Sequence, residues 1–290
     1  MGCPLSLRVE STMRIAFVGA GNMASSLIAG MVAMGIDGGR ISASARRLEQ
    51  RELLKSRYGV DVHSNASESV VGAEVVILSV KPQLAWSTCR EIAPNLSDDA
   101  LIVSIMAGVP ISSLLVWLNS SRSSVRPIVR CMPNTPASIG LGMTALYADA
   151  TVSSGQKECA YKLMSAVGRA IWVGEECQFD AITALSGSGP AYAYLLMEAM
   201  IDAGRALGLP TELAEVLTRQ TILGAAHLAS DQGLALGELR RQVTSPRGTT
   251  EAAINLLQEN GFNALMERAV HAAAIRSAEL TFQLSDLGSD

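Results

Sequence analysis

A glycine-rich segment near the start of the chain carries the clearest chemical signal. Residues 19–24, Gly-Ala-Gly-Asn-Met-Ala, follow the apolar run Ile15–Val18 directly and precede a segment of helical character. This G-x-G-x-x-A spacing between a strand and a helix is typical of dinucleotide binding, with Gly19 for the tight turn and Gly21 for close approach of the pyrophosphate. A plain structural turn is the alternative, but the position at the start of a βαβ unit favours a nucleotide.

The end of the second predicted strand, Ile41–Ser44, indicates which dinucleotide binds. Enzymes that use NAD usually place an acidic residue there, which binds the ribose 2′-hydroxyl. This chain has Arg46 and Arg47 instead, and Asp37 lies before the strand in a glycine-rich loop. Guanidinium groups suit a 2′-phosphate, so we expect NADPH, with NADH accepted as a second donor. The alternative is that both arginines are solvated residues at a helix start.

Other strand ends are expected to line the same crevice, because ligands of such sheets bind at the carboxyl ends of the strands. Lys81 suits a phosphate or ribose, Asn65 suits ribose or adenine, and small residues after the strand that ends at Ile105 leave room for a nicotinamide. Each is equally compatible with ordinary loop chemistry. The predicted cofactor-binding residues are Val18, Gly19, Ala20, Gly21, Asn22, Met23, Ser44, Arg46, Arg47, Asn65, Ser79, Val80, Lys81, Pro82, Ile105, Met106 and Ala107.

Three further segments lie outside a generic dinucleotide-binding pattern. Residues 132–136, MPNTP, predict a rigid turn, and residues 186–190, SGSGP, a flexible approach to a helix that starts at proline. Residues 244–250, TSPRGTT, form a loop that leads into a helix N-terminus, where backbone N–H groups and hydroxyls converge. That arrangement suits a carboxylate; helix capping alone is the alternative.

The elements that must position these segments follow from the spacing of apolar residues. From Met13 to about residue 173, short apolar runs alternate with helical stretches, such as 22–34 and 48–58, which predicts a Rossmann-type doubly wound α/β sheet. Several runs are unbroken, as in strands that are covered on both faces. The predicted strands are 15–18, 41–44, 75–80, 101–105, 128–132, 144–147 and 171–173.

The rest of the chain predicts helices only, at 190–207, 212–230, 250–259 and 264–284. The first of them is apolar around most of its circumference and needs cover on every side. We therefore expect a homodimer built on the C-terminal helices. The predicted domains are a disordered extension at 1–12, a dinucleotide-binding domain at 13–174, and an α-helical dimerisation and substrate domain at 175–290.

Composition excludes several classes of protein. A net charge of −4 argues against a nucleic-acid or anionic-membrane surface, and no apolar run is long enough to span a membrane. The five cysteines show no CxxC or Cys/His cluster, so neither a metal site nor a disulfide framework is expected. Residues 1–12 lack the apolar stretch of a signal peptide, and reduced thiols fit a cytoplasmic protein.

Taken together, the segments GAGNMA, VKP, AG, MPNTPA, SGSGPAY and VTSPRGTT resemble pyrroline-5-carboxylate reductase in type and order, from about residue 13 to 280. The resemblance implies a Rossmann domain followed by an α-helical dimerisation domain, with active sites between subunits and dimers that often assemble further. It also implies reduction of the C=N bond of 1-pyrroline-5-carboxylate by NAD(P)H to give L-proline, the last step of proline biosynthesis.

Carried over by position, the resemblance gives Thr250 the catalytic role, its hydroxyl bonding the substrate near the ring nitrogen. Ser245, Thr249 and the amides around Gly248 would hold the substrate carboxylate, and Gln242 would line the pocket. The three histidines lie outside these segments, so no strong general acid is evident. A substrate bound as the iminium needs mainly alignment with the nicotinamide.

Glu176, at the predicted domain junction, is a further substrate-site candidate, with a solvated linker acid as the alternative. Arg247 stands where the family commonly has a second glycine, and its side chain would point outward or add a carboxylate contact. Cys131 is expected to be a buried, inert thiol.

Two other functions fit the sequence less well. A 3-hydroxyacid dehydrogenase of similar architecture would use a catalytic lysine on the helical domain, but no lysine follows Lys162. A nucleotide-sensing binding protein would have no need of a substrate loop at residues 245–250.

Overall fold

The computed structural model describes residues 13–119, 125–231 and 233–285. The predicted extension at 1–12 lies outside the described residues. Among those described, one compact unit holds the chain up to Gly187 and again from Ala273, and a second unit holds Ser188–Ala272. The domain bounds expected from the sequence, 13–174 and 175–290, stay a prediction.

The first unit is built on an eight-stranded sheet with the order β3-β2-β1-β4-β5-β6-β7-β8. Only β7 runs antiparallel to a neighbour, β6; all other neighbours are parallel. The predicted Rossmann-type sheet is thus confirmed. The strands are β1 (Ile15–Val18), β2 (Ile41–Ser44), β3 (Asp61–His63), β4 (Val75–Leu78), β5 (Leu101–Ser104), β6 (Ile128–Met132), β7 (Gly142–Ala148) and β8 (Gly168–Trp172).

Helices cover both faces of this sheet, which explains the unbroken apolar runs of its central strands. Phe17 and Ile77 belong to one buried cluster and Val18 and Leu78 to the other, so successive residues of a strand enter opposite cores. The helices of this unit are α1 (Asn22–Ala33), α2 (Leu48–Tyr58), α3 (Ala66–Ser69), α4 (Ala85–Ile92), α5 (Ile111–Asn119), α6 (Ser154–Ser165) and α7 (Phe179–Ile182).

The predicted bounds of β8 differ most from those in the structure, and glycines explain the difference. The last strand was expected at 171–173, but β8 begins at Gly168. A Cβ on Gly168 would lie 2.1 Å from the carbonyl oxygen of Gly142 on β7, so this close pairing requires glycine. A strand that starts with glycine offers no apolar signal at that position.

The second unit is helical throughout its described residues. It contains α8 (Gly189–Ala206), α9 (Thr211–Asp231), α10 (Leu236–Gln242), α11 (Thr249–Glu259) and the first half of α12 (Phe262–Ser285). The four longer helices match the prediction, whereas α10 is short and polar and was not predicted. None of the residues of α8 is buried, and Leu195 is 67% exposed. The single chain therefore leaves an apolar helix largely uncovered.

The last helix returns to the first unit. Leu284, near the end of α12, is 7% exposed and belongs to the same apolar cluster as Val18 and Leu78. A Cβ on Gly108 would lie 3.2 Å from its side chain. None of the described helices is long and apolar enough to cross a membrane.

Candidate dinucleotide and substrate sites

The loop between β1 and α1 has the geometry that the glycine motif predicts. Gly19 has a φ of +94°, and a Cβ there would lie 2.9 Å from the side chain of Val80. A Cβ on Gly21 would meet nothing within 4 Å, so this position opens onto free space. Gly21 is also the N-cap of α1 and supplies no capping side chain. The first N–H groups of α1 are therefore available to an anion.

Two hydroxyls hold this loop against the neighbouring strands. Ser44, at the end of β2, accepts a hydrogen bond from the Gly19 N–H at 3.1 Å. Ser79, after β4, donates to the carbonyl oxygen of Gly19 at 2.6 Å. Both residues were predicted to bind the cofactor, and their hydroxyls fix the loop that would receive it.

A cavity of about 460 Å³ lies beside this loop at the carboxyl edge of the sheet. Most predicted cofactor residues meet there, and the rest do not line it. The predicted residues that line the cavity are Gly19, Ala20, Gly21, Ser44, Arg46, Arg47, Ser79, Val80 and Lys81.

The predicted cofactor residues outside the cavity have other surroundings. Val18 and Met106 are buried in the core. The Asn65 side chain accepts a hydrogen bond from the Ser67 N–H at 2.8 Å and caps α3. The others outside the lining are Asn22, Met23, Pro82, Ile105 and Ala107.

The charge of the cavity suits a phosphorylated ligand. Arg46, Arg47 and Lys81 line it, whereas Glu91 is its one carboxylate among the described lining residues. The guanidinium of Arg51 donates to the carbonyl oxygens of Ala45 and Arg46, at 2.7 and 3.0 Å, and so fixes the backbone that carries the two arginines.

The loop before α11 forms a tight turn. The Gly248 N–H donates to the Ser245 carbonyl oxygen at 3.1 Å, with Pro246 and Arg247 between them. Arg247 has a φ of +59° and is the one non-glycine residue with a positive φ in the described chain. Its N–H donates to the Glu251 carboxylate at 2.7 Å. Proline followed by a residue of positive φ is the pattern of a type II turn, where glycine is usual.

This turn leaves the N-terminus of α11 open. Its N-cap residue, Gly248, has no side chain, and the first helical N–H to bond within the chain is that of Ala252. The hydroxyls of Thr249 and Thr250 have no hydrogen-bond partner among the described residues. Free N–H groups and free hydroxyls therefore converge at one helix end. Capping by these threonines, the alternative drawn from the sequence, is not observed. Gln242 lies three residues before Ser245, at the end of α10.

Alternate residues of β6 and the turn after it contact the segment 176–187. The Arg130 guanidinium pairs with Glu176 at 2.9 Å and lies 4.5 Å from the centre of the Phe179 ring. The Asn134 side chain donates to the Ser186 carbonyl oxygen at 3.2 Å and accepts from the Met143 N–H at 2.8 Å. The MPNTP and SGSGP segments are thus in direct contact.

Comparison with known proteins places the chain among reductases of one kind. The family model for pyrroline-5-carboxylate reductase dimerisation matches residues 176–280, and that for NADP oxidoreductase, coenzyme F420-dependent, matches residues 14–108. Pyrroline-5-carboxylate reductase of Pseudomonas aeruginosa is 54% identical over 274 residues, which cover 94% of this chain and 99% of that protein. The chain belongs to the pyrroline-5-carboxylate reductase family.

Solved structures of this reductase family share the fold of the chain. The pyrroline-5-carboxylate reductase of Coxiella burnetii has a TM-score of 0.87 at 42% identity, over 93% of this chain and 98% of that one. The Plasmodium falciparum pyrroline carboxylate reductase, solved with NADP bound, has a TM-score of 0.81 at 29% identity, over 93% and 99%. The 3-hydroxyisobutyrate dehydrogenase of Mycobacterium tuberculosis, at 15% identity and a TM-score of 0.52, shares the fold alone.

Some cavity residues of this reductase were not predicted from the sequence. Leu84, Thr88 and Glu91 line the cavity from α4 and the turn before it. Their spacing of four and three residues is that of one helix face, which is the signal that would have found them. The further unpredicted lining residues are Ala45, Gln50, Ser64 and Ala66.

Two cysteines of the reductase, Cys131 and Cys89, are buried and poorly suited to act as an acid or a nucleophile. Cys131 is buried, as predicted, and burial raises the pKa of its thiol. Burial also raises the pKa of the Cys89 thiol to about 12. Among the described residues, no group of three or more His, Cys, Asp or Glu side chains is placed to hold a metal ion.

Proposed function

We propose that this chain reduces 1-pyrroline-5-carboxylate to L-proline with a hydride from NADPH. The chain is an NAD(P)H-dependent oxidoreductase of the pyrroline-5-carboxylate reductase family. The observation that supports this substrate is the 54% sequence identity between the chain and the P. aeruginosa reductase, over 99% of that protein. The basic dinucleotide cavity and the open N-terminus of α11 are the features that this reaction needs.

NADPH is proposed as the preferred cofactor, and NADH as a second donor. The N-terminus of α1 would hold the pyrophosphate. Arg46 and Arg47 would bind the 2′-phosphate, since no carboxylate stands at the end of β2 to bind a free 2′-hydroxyl. When bound, the reduced nicotinamide supplies the hydride that is added to the imine carbon, and residues 105–107 are proposed to lie beside its ring.

The substrate carboxylate is proposed to bind at the N-terminus of α11. The free N–H groups there and the helix dipole favour an anion. Gly248, Thr249 and Ser245 would hold the carboxylate, and Gln242 would line the pocket. Thr250 would hydrogen-bond near the ring nitrogen.

The substrate itself would supply the proton that the ring nitrogen needs. An imine that binds as the iminium already carries the proton that the product amine needs, so the hydride completes the reduction. The α11 N-terminus contains hydroxyls but no carboxylic acid or histidine among residues 245–250. Alignment of the two reactants, rather than proton transfer, would then supply most of the rate enhancement.

We also propose a homodimer built on the C-terminal helices. Leu195, Val216 and Leu256 are each more than 60% exposed and lie on three helices of the second unit. Apolar surface of this extent is typical of subunit interfaces, and the matched family model is one of dimerisation. A cytoplasmic location is proposed with it, because Cys89, Cys131 and Cys177 form no disulfide bond.

The test is an assay of the purified chain with 1-pyrroline-5-carboxylate and either NADPH or NADH, together with proline-dependent reduction of NADP⁺ at high pH. Gly19→Ala should abolish both activities, because its Cβ would meet Val80 at 2.9 Å. Gly35→Ala is the matched control, since Gly35 has nearly the same φ, +95°, but free space around it. Cofactor binding without turnover would instead support the nucleotide-sensing alternative.

A further inference from the structure

We propose that Arg130 and Glu176 are positioning residues for the loop between β5 and α5, residues 105–110. Neither residue touches a reactant in this role. They fix the backbone of the loop against which the nicotinamide ring is proposed to lie. The inference rests on the proposed function for the identity of that ligand, but the contacts themselves do not depend on it.

Arg130 carries a charge that is buried in the fold. The residue lies on β6 and is only 5% exposed. A buried guanidinium is costly unless it is paired. Its Nη1 donates to Glu176 Oε1 at 2.9 Å, and its guanidinium carbon lies 4.5 Å from the centre of the Phe179 ring. Arg130 therefore holds the Glu176 carboxylate in one place.

Glu176 connects Arg130 to the end of the loop. The same Oε1 atom accepts a hydrogen bond from the Ile111 N–H at 2.8 Å. Ile111 is the first residue of α5, and a carboxylate at a helix N-terminus is stabilised by the unsatisfied N–H groups and the helix dipole. One carboxylate oxygen thus joins β6 to the residue that follows the loop.

The loop is held at its other end as well. The Ile105 N–H donates to the Leu78 carbonyl oxygen at 3.0 Å. Near the middle, Gly108 has a φ of +72° and lies against the side chain of Leu284. With both ends and the middle fixed, the loop offers a defined surface to a planar ring. Without Arg130, the Glu176 side chain, which is 25% exposed, is free to turn toward water and release Ile111.

The experiment compares Arg130→Met, Glu176→Gln and the double variant. Glu158→Gln is the matched control, because Glu158 forms an ion pair with Lys162 on α6, away from the loop. Steady-state kinetics give kcat and both KM values, and fluorescence titration gives the Kd for NADPH. Cofactor deuterated at the transferred hydrogen gives the isotope effect on kcat. Hydrogen–deuterium exchange reports on residues 105–111 without any substrate.

Each single variant should lower kcat by about tenfold or more, since small misplacements of reacting groups cost up to about a hundredfold. The isotope effect on kcat should rise as hydride transfer becomes slower. The Kd for NADPH should stay within about twofold, because the phosphates hold most of the cofactor. Exchange at residues 105–111 should be faster in both variants. The double variant should be no worse than the poorer single one, because both act through one contact.

Three results would overturn the proposal. A lower melting temperature with unchanged kcat, isotope effect and loop exchange would show a merely structural pair. A higher KM for pyrroline-5-carboxylate in Glu176→Gln alone would show that Glu176 binds the substrate directly. Normal loop exchange in an Arg130→Lys variant and in Glu176→Gln would decide against it even if Arg130→Met failed to fold. An unmodified enzyme without pyrroline-5-carboxylate turnover would refute the proposed function only, since loop exchange is measured without substrate.

Discussion

Replacing Thr250 by alanine isolates the contribution of one hydroxyl at the N-terminus of α11. The Thr250 hydroxyl has no hydrogen-bond partner among the described residues, and Gly248 rather than Thr250 is the N-cap. Alanine is also a better helix former than threonine. The substitution should therefore leave folding intact, so that any loss of activity reports on the substrate contact.

The size of that loss follows from the proposed contact. A hydrogen bond to a charged group contributes about 1.5–3 kcal/mol. Because each 1.36 kcal/mol is a factor of ten in rate, kcat/KM for pyrroline-5-carboxylate should fall by about 12- to 160-fold. The free N–H groups of α11 remain in the variant, so carboxylate binding should persist. The Kd for NADPH should not change.

The assay is steady-state reduction of pyrroline-5-carboxylate, with NADPH binding measured by fluorescence titration. Thr250→Ser restores the oxygen and should recover most of the loss. Thr211→Ala, at the first position of α9, is the control for removal of a threonine hydroxyl near another helix start. Full kcat/KM in both Thr250→Ala and Thr250→Ser would refute the assignment of Thr250 to the substrate.

Three further outcomes are expected. Arg46→Ala with Arg47→Ala should raise the KM for NADPH by about tenfold or more and that for NADH by less than about twofold, since one charge-assisted contact contributes about 1.5–3 kcal/mol; equal effects in steady-state assays would show that neither arginine binds the 2′-phosphate. Arg247→Gly should be more stable to thermal melting than Arg247→Ala, because the left-handed backbone costs a residue with a Cβ about 1–2 kcal/mol; equal melting temperatures would contradict this strain. Leu196→Glu should give an inactive monomer or aggregates in sedimentation, whereas an active monomer of the unmodified chain would disprove the proposed interface.

The sequence predicted the strands of the sheet well where their burial produces a recognisable pattern of apolar residues. Central strands such as Ile15–Val18 are covered on both faces, and they appear as unbroken apolar runs with the observed bounds. This pattern is absent where two strands are in contact through their backbones and not through side chains. Gly168 pairs closely with Gly142 on the neighbouring strand, and no pattern of side chains marks such a pair.

The sequence could locate the local motifs of the candidate site but not the contacts between distant segments. Gly19 and Gly21 could be placed from a six-residue pattern, because strand, turn and helix follow one another in the chain. The pairing of Arg130 with Glu176 depends on a fold that brings together residues 46 positions apart. Neither residue has a neighbour in the sequence that reveals the other.

The return of the chain to its first unit has a consequence for biosynthesis. All eight strands are complete once Trp172 has been added, but Leu284, which fills part of their core, is added only after the whole helical second unit has been made. The intervening Ser188–Ala272 segment takes roughly 4–17 s to translate at about 5–20 residues per second. During that interval the core of the nascent nucleotide-binding half is incomplete, because it lacks the Leu284 side chain. A stop codon before Ala273 would therefore leave every strand in place and still deprive them of the side chain that closes their core.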